Sequence, residues 1–111
     1  MEASLRAEVQ RLVRDLACGR YAEIVADRRV GRLQEDELRS AVEDYGRTLV
    51  ELPDEAWASV DEYPISGETD ACALDVPLWT TEEGRSDLTL SLTATRRGEG
   101  YVLVIDDLHV L

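Results

Sequence analysis

The chain has 111 residues, 24 acids against 12 arginines, one histidine and a formal net charge of −12. That length suits one domain, residues 1–111. The acid excess argues against nucleic acid or an anionic membrane as a partner, and no apolar run approaches the roughly 18 residues of a membrane span.

Residues 1–50 read as a helical half. Leu5, Val9, Leu12, Val13 and Leu16 recur at helical spacing, with Arg6, Glu8, Arg11, Arg14 and Asp15 assigned to the wet side. Gly19 stands where a glycine would stop that helix. Tyr21, Ile24 and Val25 give a shorter helix that should end before Gly31. Leu38, Ala41, Val42 and Tyr45 give a third, from about Glu35 to Tyr45, with Glu35, Asp36 and Glu37 at its positive end and Gly46 as its stop.

Residues 51–111 read as a sheet half. The stretch WASVDEYPI is a weak strand. In ACALDVPLW the residues Cys72, Leu74, Val76 and Leu78 share a face, and Pro77, lacking an N–H, fits an edge or a bulge. LTLSLTAT alternates Leu88, Leu90, Leu92 and Ala94 with hydroxyl residues. RRGEG is a hairpin loop, and YVLVIDDLHV is the last strand. The expected fold is α+β: three N-terminal helices packed on one face of a four-stranded antiparallel sheet.

The two halves differ in charge. Residues 1–50 hold 9 arginines against 10 acids, and residues 51–111 hold 3 against 14. Solubility explains such a surplus; so does a surface made for a cationic partner. Cys18 and Cys72 are too few for a disulfide framework and read as free, buried, structural thiols. The first residues, MEASLR, lack a basic segment followed by an apolar one, so no signal peptide is expected and the cytoplasm is the expected compartment.

YGRTLVELP (residues 45–53), PLWTTEEGRSDLTLSLT (77–93) and GYVLVIDDLHVL (100–111) together resemble a small bacterial domain family of unknown function. The resemblance covers most of residues 38–111 and implies no assigned activity. More distantly, helices followed by a curved antiparallel sheet resemble the nuclear-transport-factor-2-like (cystatin-like) cone, a superfamily of isomerases, cyclases, dehydratases, immunity proteins and interaction domains. In the usual order strands precede the third helix, whereas here they follow it.

No phosphate-binding loop, dinucleotide fingerprint or zinc-protease motif is present. One histidine and two distant cysteines are too few for a usual zinc site, so no metal and no cofactor are expected. In a regular terminal strand Asp107 and His109 share one face and Asp106 points to the other, unless a bulge intervenes. If the protein is an enzyme, Asp106, Asp107, His109 and Tyr45 are the candidate catalytic groups. Arg47 is expected to pair with a sheet carboxylate such as Asp106 or Asp87. The loop at residues 80–87 is either self-satisfied or a recognition loop carrying Glu82, Glu83 and Arg85 beside Trp79. The preferred reading is a small acidic interaction module, of the immunity or regulatory kind, that binds a basic protein through its sheet half. The alternatives are an enzyme acting on a small organic ligand between helices and sheet, and a purely structural domain.

Overall fold

The computed structural model describes Met1–Leu111. Three helices come first: α1 (Ala3–Ala17), α2 (Tyr21–Ala26) and α3 (Glu35–Tyr45). Leu5, Val9, Leu12, Val13 and Leu16 of α1 are all buried, as their spacing requires. Asp15 is the exception to the assigned wet side. It is buried beside Leu16 and tied to arginines that arrive later in the chain. In α3, the Glu37 carboxylate accepts the Gln34 N–H at 3.1 Å, which satisfies one of the orphan donors at the helix start. Gly46 ends α3 in the left-handed region, with φ +72°.

The sheet has five strands rather than the expected four: β1 (Leu49–Val50), β2 (Asp61–Pro64), β3 (Ala71–Thr80), β4 (Gly84–Arg97) and β5 (Gly100–Val110). β1 and β2 pair with successive parts of β3, and β4 and β5 follow by antiparallel pairing. The fold is α+β, with helices packed against a curled, mostly antiparallel sheet that forms a half-barrel. The weak strand begins later than expected. Asp54–Ser59 forms a 3₁₀ turn, so Trp57 is not in a strand; it lies half-buried under the Arg6 guanidinium, 4.6 Å from the ring centroid. The register between β3 and β4 shifts between Pro77 and Trp79, the kind of irregularity that lets a proline sit in a central strand.

Leu74, Val76, Leu78, Leu88, Leu90, Leu92, Leu103, Ile105 and Leu108 turn inward, against α1's apolar stripe, Ile24 and Leu38. This core fills the space between helices and sheet. The Gln10 amide stitches the layers together by bonding both backbone groups of Leu52, at 2.9 and 3.0 Å, as a neighbouring strand would. Neither cysteine is buried as expected: Cys18 is exposed at the end of α1 and Cys72 is half-exposed, and both are free thiols. No helix is long and apolar enough to cross a membrane.

Candidate functional site

β5 carries the aspartates and the histidine, and a bulge decides where they point. Ile105 pairs with Leu92 and Asp107 with Ser91, so Asp106 has no partner residue on β4. The extra residue resets the inward–outward phase, so Ile105 and Leu108 both face the core. Asp106 and Asp107 are both exposed, and the expected division of the two aspartates between faces does not occur. The Thr93 hydroxyl donates to Asp106 at 2.7 Å. The Asp107 carboxylate accepts the Leu108 N–H at 2.9 Å and lies 3.0 Å from His109 Nδ1. Arg47 meets neither Asp106 nor Asp87; its only polar contact is the adjacent Gly46 carbonyl at 3.4 Å.

Across the outer face runs one row of opposed residues: Asp61 faces Asp75, Asp75 faces Ser91, and Ser91 faces Asp107. Opposed side chains on an antiparallel pair share a face and nearly touch. The Ser91 hydroxyl donates to Asp75 at 2.9 Å, but no arginine reaches the row. Tyr63 stands beside it, and partial desolvation together with the Asp61 and Asp75 carboxylates raises its hydroxyl above the usual range. Arg32 shares a surface cleft with Asp106 without pairing with it. No acid after Val60 forms an ion pair with an arginine; the one ionic contact there is Asp107 with His109.

The residue 80–87 turn spends its carboxylates internally. Glu82 accepts the Thr48 N–H and the Thr48 hydroxyl, both at 2.8 Å, and these two bonds hold its carboxyl below the usual range. Glu83 accepts the Tyr45 hydroxyl at 2.9 Å and exchanges two bonds with Thr80. The Tyr45 oxygen in turn accepts the Asp87 N–H at 3.3 Å. Arg85 reaches the Ser59 hydroxyl at 3.4 Å, and Trp79 lies half-buried with its ring 3.6 Å from where a side chain on Gly84 would start. Glu82 and Glu83 therefore fasten this turn to Thr48, just before β1, and to the end of α3.

The four candidate catalytic groups do not converge. Asp107 and His109 meet, and His109 and Tyr45 both line a surface cleft of about 540 Å³ between α3 and the end of β5. Asp106 lines a different cleft, with Gly31 and Arg32, and the Tyr45 hydroxyl is already committed to Glu83. No group of three or more His, Cys, Asp or Glu side chains is arranged to hold a metal ion.

The most buried ionic group lies elsewhere and was not singled out from the sequence. Arg29, 6 % exposed, donates to Asp15, 8 % exposed, at 2.7 Å and to Asp27 at 3.1 Å. Arg20 reaches the other Asp15 oxygen at 3.1 Å. Burial pushes the Asp15 carboxyl up, but the hydrogen bonds and charges of Arg29 and Arg20 outweigh it and leave the group below its ordinary value. The only hint was an acid between Val13 and Leu16 at the edge of α1's apolar stripe.

No solved structure and no curated protein matches the chain. A family model does match, over residues 13–111. The chain thus belongs to the family described as a domain of unknown function (DUF7668).

Proposed function

We propose that this is an acidic interaction module that docks a basic protein through its sheet half, in the manner of an immunity-type or regulatory partner. The observation that carries the reading is the row Asp61, Asp75 and Asp107, which lies across four strands with no arginine to neutralise it. Like charges directly opposed on a sheet cost stability, and a cationic partner would relieve that cost. The negative field of such a face speeds encounter with a positive surface and weakens with salt. The reading centres the contact on the outer-face row, and Glu82 and Glu83, exposed and still charged although bonded within their turn, add to the same field. The half-barrel with helices on its inner side is compatible with a nuclear-transport-factor-2-like cone, and the proposed meeting place is the cytoplasm.

The test is capture of partners from the native source at low salt, followed by binding of the purified partner across ionic strength. Asp61→Asn and Asp75→Asn should each weaken binding and flatten its salt dependence. A partner that binds both variants as tightly as the parent chain, at every salt concentration, overturns the reading.

A further inference from the structure

The free edge of β5 is treated differently along its length. At its middle, Ile105 turns its backbone away from β4: its N–H donates to the Arg29 carbonyl at 2.8 Å and its carbonyl accepts the Gly31 N–H at 3.0 Å. Residues 29–31 thus cover the edge with a single parallel bridge at Val30. Gly31 packs closely against the edge: a Cβ there would sit in van der Waals contact, 3.4 Å from Val104 Cγ1 and 3.5 Å from the Ile105 oxygen. Beyond the bulge this cover ends. The Leu111 N–H reaches back to the Asp87 carbonyl on β4 at 3.0 Å, so by alternation the N–H and C=O of Val110 face the open side. The Leu108 N–H faces that side too and is occupied only by the neighbouring Asp107 carboxylate.

Alongside this open end runs the cleft against α3. Its floor is Ala41, Leu88, Leu108 and Val110, its rim carries Glu37 and Asp44, and no lysine or arginine lines it. Val110 is 57 % exposed although it lies on the inward phase of β5. On the other side of the same edge stands Asp107, 3.0 Å from His109, which also borders the cleft.

We propose that this cleft takes an extended segment of the basic partner as an added strand beside residues 108–110. An added strand presents alternate side chains to the two faces of the sheet. On the inner side they would meet Ala41, Leu108 and Val110, and on the outer side Asp107. The complementary segment therefore alternates apolar residues with Lys or Arg. The proposal rests on the reading of the sheet half as a docking surface for a basic protein, and it names the site and the form of the ligand.

The probe is a synthetic peptide of alternating pattern, Lys-Val-Arg-Leu-Lys-Val-Arg, with blocked termini, titrated into the full chain by fluorescence anisotropy. A block isomer of the same composition tests patterning against charge alone. Two further peptides carry N-methyl groups on alternate amides, one in each phase, so that only one phase removes the N–H groups that would face β5. The expected result is that one N-methyl phase weakens binding about tenfold or more, the other leaves it unchanged, and the block isomer binds more weakly than the parent. Ala41→Arg, checked for native circular dichroism, should weaken the parent peptide by a similar factor. Equal binding by both N-methyl phases and by the block isomer, with salt still weakening all of them, overturns strand addition and leaves the basic-partner reading in place. Absence of any binding by the alternating peptide overturns strand addition as well; the basic-partner reading is then decided by the salt and aspartate series with the captured partner.

Discussion

The helical and sheet halves handle charge in opposite ways. In the first, arginines and acids are interleaved and paired, Arg11 with Glu8 and Asp27, Arg20 and Arg29 with Asp15, and Arg39 with Glu35, while Arg6 and Arg14 reach across to Asp54 and Glu51 at the start of the second. Most of these pairs are exposed and add little to stability, but Arg29 and Asp15 are buried and hold α1, α2 and the start of the β5 bridge together. In the second, beyond Val60, hydroxyls rather than arginines meet the carboxylates: Thr48 for Glu82, Ser91 for Asp75, Thr93 for Asp106. A hydroxyl satisfies a carboxylate's hydrogen bonding without cancelling its charge. One half spends its acids on architecture, and the other keeps its negative field.

The comparison breaks most sharply at the buried pair. Asp15→Ala or Arg29→Ala should cost up to about 3–5 kcal/mol in chemical denaturation, because the buried partner left behind keeps only one half-exposed counter-charge, Asp27 for Arg29 and Arg20 for Asp15. A cost under about 1 kcal/mol would mean that water reaches the pair and that it is one more surface contact. The same pair predicts a pH dependence. Asp15's folded carboxyl lies below its unfolded value of about 3.9, so its contribution is fully present above that value. It is lost as pH falls below about 4 and through the folded value. An acid titration of stability should therefore be shallower below about pH 4 in Asp15→Asn than in the parent chain.

Next in size is the core that both halves share. Leu90 and Leu92 are 0 % and 1 % exposed, so each Leu→Ala change should cost about 2–5 kcal/mol. Ser91→Ala, between them and facing out, should cost about 1 kcal/mol or less, the range for one part-buried neutral hydrogen bond. Equal midpoints for Leu90→Ala and Ser91→Ala would overturn the assignment of faces.

The smallest effect has the opposite sign. Asp61→Asn removes one of two directly opposed carboxylates and should raise stability by about 0.2–1 kcal/mol at low salt, with the gain fading as salt screens the pair. A destabilised Asp61→Asn would show that the row is held by something other than repulsion tolerated for binding. The two β5 aspartates differ in their partners. Asp106 has one hydroxyl partner, whereas Asp107 holds the Leu108 N–H and faces His109.

Much of this was legible in the sequence because it is local. A 3.6-residue stripe specifies α1 and α3 within themselves, and Gly46 ends α3 at the expected position because only a left-handed residue closes that turn cheaply. Alternation specifies β3, β4 and β5, and the charge split is a count. The tertiary structure decided whatever depends on a partner distant in the chain. Asp15 reads as a wet residue until Arg29 folds back onto it. Trp57 reads as strand until the chain turns through Asp54–Ser59 to bring β2 against β3. The bulge at Asp106 is a mismatch in register between two strands, so neither strand's own alternation contains it; yet it places both aspartates outside, turns Leu108 inward, and leaves the end of β5 open beside α3.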